Sequence, residues 1–144
     1  MRKALVAIDS SDVSRALISY AFNYSLNEGI EVLDFLHVVE KAYVAPPVTQ
    51  SPFETPKEVD VKAHYEEMIN NVRGEKTGVS FEVIVRTGVP YEQVIEQAEE
   101  KDYEMIFIGH RGMSDIKRFF IGSVAAKVVR HAPCTVLVYQ QPKG

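Results

Sequence analysis

The sequence of 144 residues predicts an α/β protein built on a parallel sheet. Five short apolar runs suited to β-strands alternate with segments whose apolar residues recur at helical spacing. No tight-turn hairpin signal joins neighbouring strands, so each connection is expected to cross over through a helix. Hydrophobic residues make up 46% and charged residues 25%, which is ordinary globular usage. We therefore expect one domain over residues 1–144, with helices on both faces of an open five-stranded sheet.

The amino-terminal third predicts a strand, a helix and a second strand. Residues 3–9 (KALVAID) lack strict alternation, as expected of a central strand buried on both faces. Residues 10–12 (SSD) offer helix caps, and the helical apolar pattern continues to Gly29. Residues 30–39 (IEVLDFLHVV) then predict the second strand.

A long proline-containing connection follows. Residues 40–55 hold three prolines, and a loop of this length inside a compact domain is often either mobile or functional. A lid over the ligand is one hypothesis for this segment, which the sequence leaves open. Thr55-Pro56-Lys57-Glu58 matches a capping box with proline at the first helical position, which predicts a second helix from there to Gly74 or Gly78.

The remaining chain continues the alternation of strands and helices. The last helix is expected to bury Val124, Ala125, Val128 and Val129. The predicted elements are a strand at 79–86, a helix after Gly88-Val89-Pro90, a strand at 103–108, a helix from Gly122 or Ser123 to Pro133, and a strand at 134–139.

Charge and cysteine content exclude several classes of function. The net charge of −4 argues against general nucleic-acid binding. Residues 109–131 nevertheless carry five cations and one anion, a net +4, which favours an anionic ligand there. Cys134 is the sole cysteine, so no internal disulfide or cysteine-rich zinc site is expected. No segment approaches the ~20 apolar residues of a membrane span, and we expect a cytoplasmic protein.

The loop after the fourth strand carries the clearest functional pattern. Gly109-His110-Arg111-Gly112 is followed by nine residues and then by Gly122-Ser123, where the last helix is expected to begin. Glycines permit positive φ and close approach of backbone amides to phosphate, and a helix N-terminus attracts negative charge. The chain has no G-x-x-x-x-G-K-[ST], so an ordinary P-loop NTPase is excluded.

The spacing G-x2-G-x9-G-S resembles the ATP-binding signature of the universal stress protein family. The likeness extends from Val6-Ala7-Ile8-Asp9 in the first strand to Val136-Leu137-Val138-Tyr139 in the last. It implies an adenine nucleotide alpha hydrolase-like fold with strand order 3-2-1-4-5. The switch point would then lie between the first and fourth strands, with Asp9 facing Gly109.

The same resemblance implies an ATP site, with Mg²⁺ held through the phosphates and Asp9 as a candidate metal neighbour. Asp9 would lie near the adenosine, Val38 or Val39 would present backbone groups to adenine, and Ala7 would leave room for the base. The implied ribose and phosphate contacts are Ile108, Gly109, Gly112, Gly122, Ser123 and Val124, with Arg111 as a further candidate.

The last strand is expected to lie at the edge of the sheet in the family order. An exposed apolar edge invites pairing with another chain, and the resemblance implies a homodimer through this strand. The expected dimer residues are Thr135, Val136, Leu137, Val138 and Tyr139. The functional hypothesis is a dimeric, ATP-dependent regulatory switch in the stress response, read by a regulatory protein that the sequence does not identify.

Alternatives stay open from the sequence. A slow ATPase or phosphoryl transferase would use Asp9 with Mg²⁺, although no dedicated enzyme is expected and no catalytic residue is assigned. A dimeric adaptor without nucleotide is a second alternative, and flavin or dinucleotide binding is a weaker one because no G-x-G-x-x-G follows the first strand. Asp9 could instead only cap the first helix, His110 and Arg111 could be solvated, and His37 is expected to be packed and hydrogen-bonded.

Overall fold

The computed structural model describes residues 1–40, 58–110 and 122–142. Five strands alternate with four helices along this part of the chain. The elements are β1 (Lys3–Ala7), α1 (Asp12–Glu28), β2 (Val32–Glu40), α2 (Glu58–Arg73), β3 (Ser80–Gly88), α3 (Pro90–Glu100), β4 (Met105–Gly109), α4 (Ser123–His131) and β5 (Thr135–Tyr139).

The strands form one parallel sheet in the order β3-β2-β1-β4-β5, which confirms the predicted fold class and strand order. Strand β1 lies at the centre, with Ala4 opposite Leu33 of β2 on one side and Met105 of β4 on the other. The strand order therefore reverses between β1 and β4. Ligands bind at such a switch point in open α/β sheets.

The core has two layers because successive strand residues point to opposite faces of the sheet. Val6 and Phe35 belong to the layer that contains residues of α1 and α2, whereas Leu5 and Leu36 belong to the layer that contains residues of α3 and α4. All four are 0–1% exposed. Complete burial of such a side chain stabilises a fold by roughly 1.5–3 kcal/mol, so these strand residues stabilise both layers.

Helix α1 begins and ends where local chemistry predicts. Ser11 is its N-cap, and the Ser11 hydroxyl accepts a hydrogen bond from the Ser14 amide at 3.2 Å. Gly29 ends the helix in the left-handed region at φ 79° and donates its N–H to the Ser25 carbonyl at 2.9 Å. The Ser11 cap lies in the turn that follows β1, and that turn carries Asp9.

Several details differ from the sequence expectations. Val129 is 50% exposed, so its predicted burial is wrong: α4 turns only one narrow stripe, with Ala125 and Val128, into the core. The first three residues of the capping box, 55–57, lie outside the described residues, as does most of the candidate lid. Among the described helices, none has the length and apolarity needed to cross a membrane.

Candidate functional site

A cleft of about 450 Å³ opens at the carboxyl end of the sheet. It lies between the ends of β1, β2 and β4, the loop into α1, and the N-terminal turns of α3 and α4. Its volume is in the range of small-molecule sites. The lining residues are Ala7, Ile8, Asp9, Val13, Ser14, Leu36, His37, Val38, Val39, Glu40, Pro90, Val94, Ile108, Gly109, His110, Gly122, Ser123, Val124 and Ala125.

The fold brings most of the sequence-predicted ligand residues to this cleft, although they come from four separate segments. Of the candidate lid, only Glu40 is described, and it also lines the cleft. Arg111 and Gly112 lie outside the described residues. The predicted residues that line the cleft are Ala7, Asp9, Val38, Val39, Ile108, Gly109, Gly122, Ser123 and Val124.

Asp9 is held by the turn between β1 and α1. Its Oδ1 accepts hydrogen bonds from the Ser11 amide at 2.8 Å and from the Ser14 hydroxyl at 3.0 Å. The Asp9 amide in turn donates to Ser14 Oγ at 2.8 Å. One carboxylate oxygen therefore satisfies the loop, whereas the helix cap itself is Ser11, and Asp9 still lines the cleft.

The N-terminus of α4 forms the opposite side of the cleft. Gly122 is the N-cap and makes no side-chain cap hydrogen bond. Its own N–H donates to the His110 carbonyl at 2.7 Å, so this amide is already engaged. The next amides, of Ser123, Val124 and Ala125, lie in the first turn, where helix geometry supplies no intrahelical acceptor. They add to the positive end of the helix dipole at the cleft.

The two described glycines of the loop, Gly109 and Gly122, do not have the positive φ that the sequence predicts. Gly122 has φ −63° and ψ 156°, an extended conformation open to any residue. The positive φ values among the described glycines belong to Gly29, Gly74 and Gly88, none of which lines the cleft. For Gly122, which is buried, close approach of the backbone is the remaining physical reason for the missing side chain.

His110 ties the cleft to the edge of the sheet. Its backbone N–H donates to the Tyr139 carbonyl at 2.7 Å, and its carbonyl accepts from Gly122. The side-chain Nδ1 is buried and has no hydrogen-bond partner among the described residues. A buried polar atom without a partner costs folding free energy, so this nitrogen is a candidate contact for a polar ligand or water.

His37 is packed and hydrogen-bonded, which confirms the sequence expectation. Nδ1 lies 3.1 Å from the Ile8 carbonyl oxygen. The ring lies against Tyr65 of α2, with centroids 4.4 Å apart and planes tilted by 31°. The same residue lines the cleft.

Two contributors to the site escaped sequence reasoning. Ser14 anchors Asp9, and its position three residues after the Ser11 cap is the available sequence signal. Tyr65 packs against His37, and its sequence position in α2 does not indicate this contact. Burial, and then the nearby Asp9 carboxylate, raise the pKa of Tyr65 to about 12.

The cleft is chemically polarised. Asp9 and Glu40 make the end near β1 and β2 acidic, whereas the first turn of α4 presents hydrogen-bond donors and positive dipole charge. Apolar side chains such as Leu36 and Ile108 lie between them. Within the described ranges, no three His, Cys, Asp or Glu residues cluster closely enough to hold a metal ion. The arrangement suits a ligand that is anionic at one end and rich in hydrogen-bond donors at the other.

Comparison with known proteins agrees with this architecture. A family model described as the universal stress protein family matches residues 1–140. Universal stress protein MJ0531 of Methanocaldococcus jannaschii is 31% identical, over 99% of this chain and 84% of the relative. Universal stress protein YxiE of Bacillus subtilis is also 31% identical, over 94% of this chain and 97% of the relative.

Solved structures show the same fold at lower sequence identity. Universal stress protein UspA from Lactobacillus plantarum superposes with TM-score 0.73 at 23% identity, covering 95% of this chain and 96% of that chain. A universal stress protein family protein from Arabidopsis thaliana, solved with AMP bound, gives TM-score 0.67 at 20% identity, with coverage of 99% and 93%. One from Archaeoglobus fulgidus in complex with dAMP gives 0.63 at 19%, with coverage of 96% and 97%.

Proposed function

We propose, because this chain belongs to the universal stress protein family, that its cleft binds an adenine nucleotide, namely ATP with Mg²⁺. The observation that carries the proposal is the polarity of the cleft. The open first turn of α4 lies on one side, and Asp9 lies at the end of β1 on the other. A nucleotide has the matching polarity, since its phosphates are anionic and its nucleoside carries hydroxyl and amine donors.

The phosphates would lie at the N-terminus of α4. The amides of Ser123 and Val124 and the exposed Ser123 hydroxyl are donors without a described partner there. The buried Nδ1 of His110 is a further unsatisfied polar atom beside them, which an oxygen of the ligand would satisfy. These features fit an anionic ligand. Gly122 would contribute mainly by close approach, since its amide already donates to His110.

The nucleoside would lie towards β1 and β2. Backbone groups of Val38 and Val39 are proposed to meet the base, and Asp9 to accept from the sugar. Ala7 has a small side chain at the floor of this end. Adenine nucleotides in structural relatives, AMP in the Arabidopsis thaliana protein and dAMP in the Archaeoglobus fulgidus protein, support this choice of ligand.

Mg²⁺ would be held chiefly by the phosphates. Among the described residues, Asp9 is a carboxylate at the cleft, and no cluster of three metal ligands is found. A magnesium ion bound to a nucleotide usually takes one or two protein carboxylates together with the phosphates. Bound Mg²⁺ supplies charge neutralisation of the phosphates. We assign binding, with hydrolysis at most slow, to this cleft and name no catalytic residue.

The regulatory part of the proposal is a nucleotide-dependent homodimeric switch in the cytoplasm. Strand β5 lies at an edge of the sheet and pairs only with β4 among the described strands, so its other side is available to a second copy. His110 links that strand to the cleft through the Tyr139 carbonyl. A ligand that contacts His110 in only one of two conformations would favour that conformation at the cleft and at β5 together, as a population shift requires.

The first experiment measures nucleotide directly. Freshly purified protein is denatured, any released nucleotide is identified by chromatography, and Mg²⁺-ATP is titrated by calorimetry into the wild type, Gly122→Val and Ala132→Val. Ala132 is a matched control, because it flanks the other end of α4 with almost the same extended backbone, φ −65° and ψ 143°.

Binding by the wild type and by Ala132→Val, with at least tenfold loss in Gly122→Val, is the expected result, because a valine side chain fills the space that a phosphate would occupy. Equal binding by both variants would mean that the phosphates do not lie at the N-terminus of α4. A wild type that neither carries nor binds nucleotide would refute the proposal and leave the dimeric adaptor as the leading account.

A further inference from the structure

The two ring nitrogens of His37 have different surroundings. Nδ1 lies 3.1 Å from the Ile8 carbonyl oxygen, at the end of the neighbouring strand β1. A carbonyl oxygen accepts hydrogen bonds and never donates them, so Nδ1 must carry the hydrogen. In the neutral imidazole only one nitrogen is protonated, and Nε2 is therefore an acceptor.

No described residue makes a hydrogen bond to Nε2 of His37. The buried polar atoms that lack a partner in the described part of the chain are Ser25 Oγ, Asp34 Oδ1, Arg73 Nε and His110 Nδ1, and Nε2 is not one of them. His37 itself is half-buried and lines the cleft.

The orientation of the ring is fixed from two sides. Tyr65 is only 4% exposed, and its ring lies against the imidazole at a centroid distance of 4.4 Å. Turning the imidazole over would break the hydrogen bond to Ile8. A neutral His37 thus presents one nitrogen lone pair in one direction, which is a preorganised contact rather than an adaptable one.

We propose that His37 is a specificity-determining residue of the nucleotide cleft: with Nδ1–H held by Ile8 and the ring held by Tyr65, Nε2 accepts a hydrogen bond from a donor on the nucleoside. The inference rests on the proposed function and adds the chemistry that this end of the cleft selects. Two nucleoside groups supply such a donor, the ribose hydroxyls and the exocyclic amine of adenine.

The surroundings favour a donor over an acceptor at this position. Asp9 and Glu40 are the charged residues at the same end of the cleft, and both accept hydrogen bonds. A ligand group that also only accepts, such as the base carbonyl of a hypoxanthine nucleotide, would face three acceptors with no hydrogen to share. Sites built to bond a hydroxyl or amine bind analogues that lack it more weakly, because that hydrogen bond is no longer made.

The test combines two variants with three ligand analogues. His37→Asn keeps an amide that can donate to Ile8 but has no group in place of Nε2, whereas His37→Phe keeps a ring against Tyr65 but has no nitrogen. A loss common to both variants belongs to Nε2. The dissociation constants of Mg²⁺-ATP, its 2′-deoxy and 3′-deoxy analogues and purine riboside triphosphate are measured for the wild type and each variant.

One analogue is expected to bind the wild type roughly 3- to 10-fold more weakly than ATP, the worth of one hydrogen bond. Both variants should weaken ATP by a similar factor and should no longer distinguish ATP from that analogue. The analogue that binds more weakly identifies the ligand group that donates its hydrogen bond to His37. If the variants weaken ATP and every analogue by the same factor, His37 has no such role, although nucleotide binding stands. A wild type that binds none of these ligands refutes both proposals.

A measurement on the wild type covers the case in which a variant does not fold. Two-dimensional ¹H–¹⁵N NMR through the imidazole carbons reports which ring nitrogen carries hydrogen. The expected spectrum shows protonated Nδ1 and a bare Nε2 whose resonance moves on addition of Mg²⁺-ATP. A protonated Nε2, or an Nε2 resonance unchanged at saturating ATP, would overturn the proposal.

Discussion

The Tyr103 hydroxyl donates a hydrogen bond of 2.6 Å to Asp34 Oδ2, joining two buried residues 69 positions apart in the sequence. Asp34 is 0% exposed on β2, in the middle of the sheet. Gln97 donates to the same hydroxyl at 3.0 Å, and Lys101 Nζ lies 4.0 Å from Asp34 Oδ2. The other carboxylate oxygen, Oδ1, is buried without a partner. This arrangement makes Tyr103 the closest donor to a carboxylate inside the core.

Removing the hydroxyl should therefore be costly. Tyr103→Phe leaves a buried carboxylate oxygen without its donor, and we expect the free energy of unfolding in urea to fall by about 1–3 kcal/mol. Tyr20→Phe is the control, since Tyr20 is 38% exposed and makes ring contacts with Phe107 and Tyr139.

A double variant tests whether the loss in Tyr103→Phe comes from the unpaired Asp34 carboxylate or from changed packing. Replacing both partners, as in Asp34→Leu with Tyr103→Phe, removes the polar pair together and should recover much of the stability lost in the single variant. If the double variant is less stable than Tyr103→Phe alone, the pair contributes net stability and the desolvation argument is wrong.

Alkaline pH should destabilise the fold through Tyr65. Burial, and then the nearby Asp9 carboxylate, raise the pKa of Tyr65 to about 12, above the ordinary value of about 10. The folded state thus binds this proton more tightly than the unfolded state does. The resulting stability is fully present below about pH 10 and is lost as the pH rises towards about 12, at up to ~1.4 kcal/mol per pH unit. Urea unfolding between pH 9 and 11.5 measures the slope, which should be shallower in Tyr65→Phe. An identical slope in the variant would assign the loss to other groups.

The Ser14 hydroxyl should support both stability and nucleotide affinity. It donates to Asp9 Oδ1 and accepts from the Asp9 amide, so Ser14→Ala leaves the Asp9 amide without this acceptor and Oδ1 with only the Ser11 amide as donor. We expect a loss of about 1–2 kcal/mol in unfolding free energy and weaker binding of Mg²⁺-ATP by calorimetry. Ser19→Ala on the same helix is the control. Lower stability with unchanged affinity would mean that Asp9 does not contact the ligand.

Proline substitutions on β5 should separate dimerisation from folding. The Tyr139 carbonyl accepts from His110, so Tyr139 directs its backbone groups towards β4, as do Leu137 and Thr135 by alternation. The N–H of Val138 therefore faces the free edge. Val138→Pro should abolish the proposed dimer in light scattering while circular dichroism stays native, because proline removes only an outward donor.

Leu137→Pro is the matched control for that experiment. It removes a donor that faces β4, and we expect loss of stability whatever the oligomeric state. A Val138→Pro protein that remains dimeric would rule out β5 pairing as the interface, and a monomeric wild type at micromolar concentration would refute the dimer itself.

Much of the fold was predictable from local patterns. The apolar run at β1 and the serine cap at Ser11 each express a preference that depends on a few neighbouring residues, and the structure has both where the sequence predicts them. Ser123, predicted as a possible start of the last helix, is its first residue. The strand order required the family resemblance, because several orders satisfy the same alternation of strands and helices.

The site was predictable only in part. The spacing of Gly109, Gly122 and Ser123 indicated the loop, and all three line the cleft. Their conformation was not evident: Gly122 is extended, and its amide is taken by His110. The burial of Val129 was predicted wrongly, because helical spacing does not tell how wide a stripe the neighbouring sheet will cover.

By itself the sequence determined the alternation of elements, their caps and the family of the chain, since these follow from backbone preferences and from residues close together along the chain. Only the tertiary structure decided the partners of the polar groups. In the sequence, Asp34 is a single acidic residue in an apolar strand, and only the fold brings the Tyr103 hydroxyl to it. The orientation of His37 is likewise fixed by contacts with Ile8 and Tyr65, which come from other parts of the chain. Such contacts depend on the register and packing of distant segments, which local pattern does not encode.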